Sequence, residues 1–126
     1  MAENTGESGN IKISDDAIAA IAVIAAKDVD GVLDLDSGAA GAIAEALGVK
    51  DVTRGVRIDV NGETVNIDIN IIVAFGGEVS DIAAEVQDRV RESIESMTGL
   101  LVERVNVNIN SVRKPSATIN SPSNNI

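Results

Sequence analysis

The chain has 126 residues, a size that suits one domain with a substantial hydrophobic core. Its 20 acidic and 10 basic residues give a net charge of −10, which disfavours nucleic-acid binding and adsorption to an anionic membrane surface. Cysteine and histidine are absent, which excludes disulfides and thiolate metal sites and removes the commonest general base. We therefore expect no cofactor, no metal ion and no enzymatic activity.

Three segments are predicted along the chain. Residues 1–10 are polar and are expected to form a flexible N-terminal arm, residues 11–112 one α+β domain, and residues 113–126 a polar tail of disorder-prone composition. The N-terminal residues do not have the pattern of a signal peptide, and no apolar run reaches the roughly 18 residues of a membrane helix. A cytoplasmic protein without direct membrane insertion is expected.

The first predicted helix follows a short strand at Ile11–Ile13 and begins after Ser14, a favourable N-cap. Its apolar residues recur at helical spacing up to Val29, but residues 17–26 contain no polar side chain on any face. A helix that is apolar all round is usually buried on more than one side. Either residues 39–47 pack over its back or it forms a subunit interface. The interface hypothesis concerns three residues: Ala20, Val23 and Ile24.

Weaker signals follow this helix. Asp30-Gly31 is predicted to end it, since glycine suits the left-handed residue after a helix. Val32–Asp36 is predicted as a short strand and Ala42–Leu47 as a short helix.

A β-hairpin is the clearest prediction. Apolar and polar residues alternate from Val56 to Asn61 and again from Val65 to Ile71, and Asn61-Gly62 is a favoured tight-turn pair. From Ile72 to Phe75 the alternation stops, which predicts either a bulge or a cover over the second sheet face. The residues of this apolar strand end are candidate interface residues: Ile72, Ala74 and Phe75.

A second helix and a last strand complete the predicted domain. Ser80 is the predicted N-cap of the helix, and its apolar stripe consists of Ile82, Val86, Val90, Ile94 and Met97. Thr98-Gly99 is predicted to end it. The strand then alternates apolar residues with asparagine from Val105 to Asn110. These elements predict a small two-layer α+β sandwich, with two main helices packed on one face of a mostly antiparallel sheet.

The polar face of this predicted sheet is unusually rich in asparagine, which is otherwise depleted in strands. One interpretation is a solvated face that keeps the sheet from aggregating. The other is a hydrogen-bonding surface between subunits, because amide side chains both donate and accept. The candidate interface residues on this face are Asn66, Asp68, Asn70, Asn106, Asn108 and Asn110.

With these elements in place, the chain resembles the alkaline shock protein family of bacterial general-stress and envelope-stress proteins. The resemblance covers about 100 residues in consistent order. The matching segments are IKISDDAIAAIAVIAAKDVDGV (Ile11–Val32), GAIAEALG (Gly41–Gly48), GVRIDV (Gly55–Val60), VAFGGEVSDIAAEVQDRVRESIESMTGL (Val73–Leu100) and VNVNINSV (Val105–Val112).

The resemblance implies a non-enzymatic, self-associating scaffold, a homo-oligomer or filament, that acts through protein–protein contacts. Some members of the family are held at the inner face of the membrane by a membrane-anchored protein partner. The alternative is an adaptor that binds such a partner, or a cytoplasmic enzyme of fatty-acid metabolism, without forming large assemblies. The asparagine-rich sheet face and the polar tail depart from the family pattern.

Overall fold

The structure, a computed structural model, describes residues 11–36 and 55–114 of the chain. These residues form two helices and four strands. In chain order the elements are α1 (Asp15–Lys27), β1 (Val32–Leu35), β2 (Val56–Asn61), β3 (Thr64–Ala74), α2 (Val79–Thr98) and β4 (Leu101–Arg113).

β3 is the central strand of one four-stranded sheet. β4 pairs with it in parallel over its whole length, from Thr64 to Ala74. The other edge of β3 is shared by two antiparallel partners, β2 along residues 64–69 and β1 along residues 71–73. Two of the three pairings are antiparallel, and α2 provides the crossover that a parallel pair requires. The predicted α+β sandwich is confirmed.

The core lies between this sheet and the two helices. Every second residue of β3 from Val65 to Val73 is fully buried on one face, as the period of two in a strand requires. α1 packs against β1 and β2, α2 packs against β4, and the helices contact each other. Burying one such aliphatic side chain contributes about 1.5–3 kcal/mol, so this single layer supplies much of the stability.

α1 begins where the sequence predicts it. The Ser14 hydroxyl accepts a 3.1 Å hydrogen bond from the Ala17 N–H and satisfies one of the free donors of the first turn. The helix is buried over a wide arc, which includes Ala19 and Ala26, but Ile24 is 71% exposed. The segment 39–47, which was expected to cover the back of this helix, lies outside the described residues.

α2 differs from its prediction at its first residue and in the extent of its buried stripe. Its N-cap is Glu78 rather than Ser80, which lies inside the first turn, and no side chain caps the helix there. At the other end Met97 is 67% exposed, so the buried stripe stops at Ile94. The predicted stop at Gly99 is confirmed, with φ +79° in the left-handed region.

Two strand predictions also need correction. Ile11–Ile13 forms no strand and Ile11 is 86% exposed, since three residues before a helix have no paired neighbour to stabilise them. The hairpin is present, but its turn is one residue later than predicted. Asn61 pairs with Thr64, so that Gly62 (φ +60°) and Glu63 form the two-residue loop.

Bulges occur opposite the apolar end of β3, as one of the two predicted explanations requires. The register skips Leu33 in β1, between the partners of Val73 and Ile72, and Asn110 in β4, between the partners of Ile71 and Ile72. A second skip in β4, at Glu103, lies near the start of β3. The irregularities therefore lie in the neighbouring strands and not in β3 itself. Each bulge bends its strand locally and interrupts the ladder.

Several other predictions concern residues outside the described ranges. These are the arm at residues 1–10, the short helix Ala42–Leu47 and all but the first two residues of the tail. Arg113, the first residue of the predicted tail, is the last residue of β4.

Candidate interaction surfaces

The asparagine-rich side of the sheet is a hydrogen-bonded ladder of side chains. We call its six residues, Asn66, Asp68, Asn70, Asn106, Asn108 and Asn110, the asparagine face. Across the parallel pairing of β3 and β4, the Asn106 amide donates to Asp68 Oδ1 at 2.8 Å, and the Asn108 amide donates to Asn70 Oδ1 at 3.1 Å.

Two further bonds extend this ladder at its ends. The Asn66 amide donates to Glu103 Oε1 at 3.2 Å, and the Asn110 amide donates to Asp36 Oδ2 at 3.2 Å. The Asn66, Asn106 and Asn108 amides tie β3 to β4, and the Asn110 amide reaches Asp36, just after β1; a hydrophobic residue could make none of these bonds. Repeated asparagine on these strands therefore has a structural cause beyond solubility, namely cross-strand pairing.

The ladder leaves hydrogen-bonding capacity on its outer strand. Asn106, Asn108 and Asn110 are exposed, whereas Asn66, Asp68 and Asn70 on β3 are only partly exposed. An amide group has two N–H donors and two acceptor sites, and among the described residues each β4 asparagine side chain donates one hydrogen bond. The β4 side of the asparagine face is thus able to bind further polar groups.

A broad depression of about 600 Å³ lies over one part of this face. Ligand pockets are usually concave and lined mostly by apolar side chains, and this one is lined mainly by polar and charged groups at the surface. Asp59, opposite Asn66 in the register, also lines it. The full lining is Arg57, Ile58, Asp59, Asn66, Asp68, Glu103, Arg104 and Asn106.

The apolar candidate residues differ in accessibility. Ile24 and Phe75 are 71% and 70% exposed, so their side chains are available for contact with another molecule. Ile72 is only 7% exposed. Val23 is partly buried and packs against the core. The remaining two, Ala20 and Ala74, are half-buried.

Besides Ile11 and Ile13 before α1, three exposed apolar residues were not singled out as surface residues from the sequence. Met97 and Leu101 lie at the junction of α2 and β4 and are 67% and 61% exposed. Val112, at the far end of β4, is 49% exposed. Met97 has the periodicity of a core residue, and only the extent of the neighbouring elements shows that it lies beyond the covered part of the sheet.

Acidic side chains near the end of α1 are engaged with basic ones. Arg89 contacts Asp28 at 3.0 Å and Glu85 at 3.1 Å, and Lys27 contacts Asp34 at 3.4 Å. Exposed pairs of this kind contribute at most about 1 kcal/mol each. Within residues 11–36 and 55–114 no group of three or more acidic, histidine or cysteine side chains is arranged to hold a metal ion.

The outer edge of β4 is partly covered by α2. The N–H of Leu101 donates to the Glu63 carbonyl and therefore faces β3. Because backbone N–H groups alternate in direction along a strand, the N–H of Val102 faces away from the sheet. Glu95 Oε2 accepts a 2.9 Å hydrogen bond from the Val102 N–H. The Gln87 amide donates to the Val105 carbonyl at 3.0 Å. These two side chains satisfy backbone groups that an edge strand otherwise presents to solvent.

Neither helix of the described ranges combines the length and apolar character that crossing a membrane requires.

Comparison with known proteins places this fold among bacterial relatives. An uncharacterized Bacillus subtilis protein, YloU, is 35% identical over 107 residues, 83% of this chain and 89% of the relative. A second, YqhY, is 33% identical over 101 residues, 80% of this chain and 75% of the relative. A stress response regulator gls24 homolog of Streptococcus pyogenes is 28% identical over 102 residues, 80% of this chain and 57% of the relative.

Among solved structures, one of MamM-CTD aligns with 78% of this chain and 98% of its own, with a TM-score of 0.49 and 19% identity. The model of the alkaline shock protein 23 family, described as having a cell envelope-related function, matches residues 3–114. With a match over most of its length, the chain belongs to the alkaline shock protein 23 family.

Proposed function

We propose that this protein is a non-enzymatic scaffold that self-associates and serves the cell envelope through protein–protein contacts. The observation that carries the proposal is the exposure of Phe75, the single aromatic residue of the chain, which is 70% exposed directly after β3. Val112, which pairs with Val73 at the same end of the sheet, is 49% exposed. Large apolar side chains that are exposed together mark interaction sites more often than free surface.

The absence of enzymatic activity is supported by the chemistry of the chain. Without histidine or cysteine, a nucleophile or general base would have to come from serine, lysine or a carboxylate. Of the carboxylates on the asparagine face, Asp68 accepts a hydrogen bond from an asparagine amide at the surface. Such a group is suited to pairing strands rather than to proton transfer.

The proposed place of action is the cytoplasmic side of the cell envelope. The family description supports an envelope-related role. A net charge of −10 opposes direct adsorption to anionic lipid, so we propose that a membrane-anchored protein partner holds the assembly at the membrane.

Sedimentation velocity over a wide concentration range tests the proposal. The unmodified protein is expected to form species larger than a monomer as its concentration rises. Phe75→Ser is expected to shift the distribution towards smaller species while the urea midpoint of unfolding is retained. Met97→Ser is the matched control, because Met97 is similarly exposed, at 67%, but lies at the other end of the sheet.

The alternative, an adaptor that binds an enzyme or a membrane anchor without assembling, gives a different result in the same experiment. An adaptor would sediment as a monomer at every concentration. That result, or an equal effect of Phe75→Ser and Met97→Ser on assembly, would contradict the proposed role of the Phe75 surface.

A further inference from the structure

The two edges of the sheet differ in how well they are protected. On one side β1 and β2 are short, and charged residues interrupt them, including Asp34, Arg57 and Asp59. On the other side β4 is 13 residues long. Proteins normally protect a long edge strand, because its free N–H and C=O groups pair readily with another chain.

Among the described residues, only the first half of the β4 edge is covered. Glu95 accepts the outward N–H of Val102, and Gln87 donates to the outward carbonyl of Val105. The outward direction alternates along a strand, so Val107 and Ile109 face the same way as Val105. Among the described residues nothing hydrogen-bonds to the outward N–H or C=O of Val107 or Ile109. The bulge at Asn110 then ends the regular edge.

The open half of the edge also lacks charge. Residues 105–112 read VNVNINSV and contain no ionisable side chain, although 24% of the chain is charged. Charged residues, lysine above all, are the usual means of preventing strand addition. For a chain with net charge −10, an uncharged strip is also where a second acidic copy can approach with the least repulsion.

We propose that this segment pairs antiparallel with the same segment of a second copy, about a two-fold axis at Asn108. The inference rests on the self-association proposed above and names one surface that mediates it. Within the regularly paired part of β4, residues 104–109, Val107 and Ile109 are the two residues whose outward groups both lack a partner among the described residues, and they lie on either side of Asn108. In this register Val107 and the second copy's Ile109 exchange two backbone hydrogen bonds. The two-fold symmetry gives the same two bonds between Ile109 and the second copy's Val107.

The side chains of the two copies match in this register. Val107 and Ile109, half-buried against the helix side, face their counterparts and are covered further. On the other face Asn108 meets the second copy's Asn108, and each keeps a free donor and a free acceptor after bonding to Asn70. The ladder of the asparagine face would then continue from one copy into the next.

Charges at the two ends of the segment match as well. Measured along β3, Glu103 lies at the register shift between the partners of Val65 and Asn66, and Arg113 lies opposite Ala74. The two are therefore four to five positions on either side of Asn70, the partner of Asn108. Both are on the asparagine face, since Glu103 bonds to Asn66 and Arg113 pairs with Ala74. Antiparallel pairing therefore places Glu103 of each copy next to Arg113 of the other. This charge complementarity favours a second copy of the chain as the occupant.

A charge swap tests the arrangement. Within one copy Glu103 and Arg113 are about 30 Å apart, at roughly 3.3 Å per residue, so they cannot contact each other. Glu103→Arg alone and Arg113→Glu alone are each expected to raise the dimer dissociation constant about fivefold or more at low salt, since two like-charge contacts replace two attractive ones. The double variant is expected to return within about twofold of the unmodified protein.

The outcomes separate the inference from the proposed function. Urea unfolding of each variant, on a dilute monomeric sample, checks that the fold is retained. If the unmodified protein self-associates and the double variant is no better than the single ones, the β4 pairing is wrong while the scaffold proposal stands. If the unmodified protein is monomeric at every concentration, both are wrong.

Discussion

Asn108 donates its side-chain amide to Asn70 Oδ1 at 3.1 Å, across the parallel pairing of β4 with β3. The two residues are 38 positions apart in the chain, so the bond ties the last strand to the central one. It is one of three side-chain bonds between β3 and β4 on the asparagine face. Asparagine, which is a poor strand former by itself, is therefore used here to select a strand partner.

Asn106→Asp is expected to destabilise the fold by about 0.5–1 kcal/mol, because it removes the donor to Asp68 and places two carboxylates directly opposite each other. The loss should decrease as salt is added, since the two groups are exposed. Urea unfolding at low and high salt measures both effects. Asn106→Ser, which keeps a neutral donor, is the control. An equal, salt-independent loss in both variants would contradict the charge explanation.

Asn108→Lys is expected to weaken self-association by about tenfold or more, because it places two lysines opposite each other at the proposed two-fold axis. Asn66→Lys lies on the same face and also removes one cross-strand bond, but its strand, β3, is covered on both edges. It should change assembly less than about twofold. Sedimentation equilibrium of the two variants distinguishes them, and an equal loss of assembly would contradict a role for the β4 edge.

Ile94→Ala is expected to cost about 2–5 kcal/mol of unfolding free energy, since Ile94 is fully buried between α2 and the sheet. Met97→Ala, one turn further along the same helix, should stay within about 0.5 kcal/mol because its side chain is 67% exposed. Urea denaturation of both variants makes the comparison. A loss at Met97 as large as that at Ile94 would place Met97 in the core after all.

Gly31→Ala is expected to be more destabilising than Gly99→Ala. Both glycines have positive φ, +99° and +79°, which costs an alanine about 1–2 kcal/mol. At Gly31 the added Cβ would also lie 2.6 Å from Ile82 Cδ1, whereas at Gly99 no atom lies within 4 Å of it. Thermal unfolding of the two variants shows which of them is less stable. A larger loss at Gly99 would be inconsistent with the packing of α1's end against α2.

Most of the fold could be predicted from local signals. The period of two in residues 65–71 and the period of 3.6 in Ile82–Ile94 follow directly from which side of a strand or helix is buried. Ser14 and Gly99 act locally, through one hydrogen bond and one backbone conformation, so their roles are also visible in the sequence. Signals of this kind do not depend on the rest of the chain.

Other features depend on contacts that no local pattern reports. Met97 continues the apolar stripe of α2, and only the extent of the sheet beneath decides that it is exposed. The parallel direction of β4 depends on where the α2 crossover ends.

The candidate asparagine residues could be recognised from composition, but their pairing could not, because the bulges in β4 determine which side chain lies opposite which. Coverage of the β4 edge by Glu95 and Gln87 is likewise a tertiary property.

The central claim, that copies of this chain associate through the β4 edge, is tested most directly by amide hydrogen exchange as a function of protein concentration. The amides of Val107 and Ile109 face outward on that edge. The amides of Ile58 and Val60 serve as the reference. They face outward on the opposite edge, that of β2, because the Gly55 carbonyl faces β3 and bonds to Asn70, and the backbone direction alternates along β2 from Gly55. The account predicts that exchange at Val107 and Ile109 slows as concentration rises while exchange at Ile58 and Val60 does not. Unchanged exchange at Val107 and Ile109, under conditions where the protein sediments as an oligomer, would contradict it.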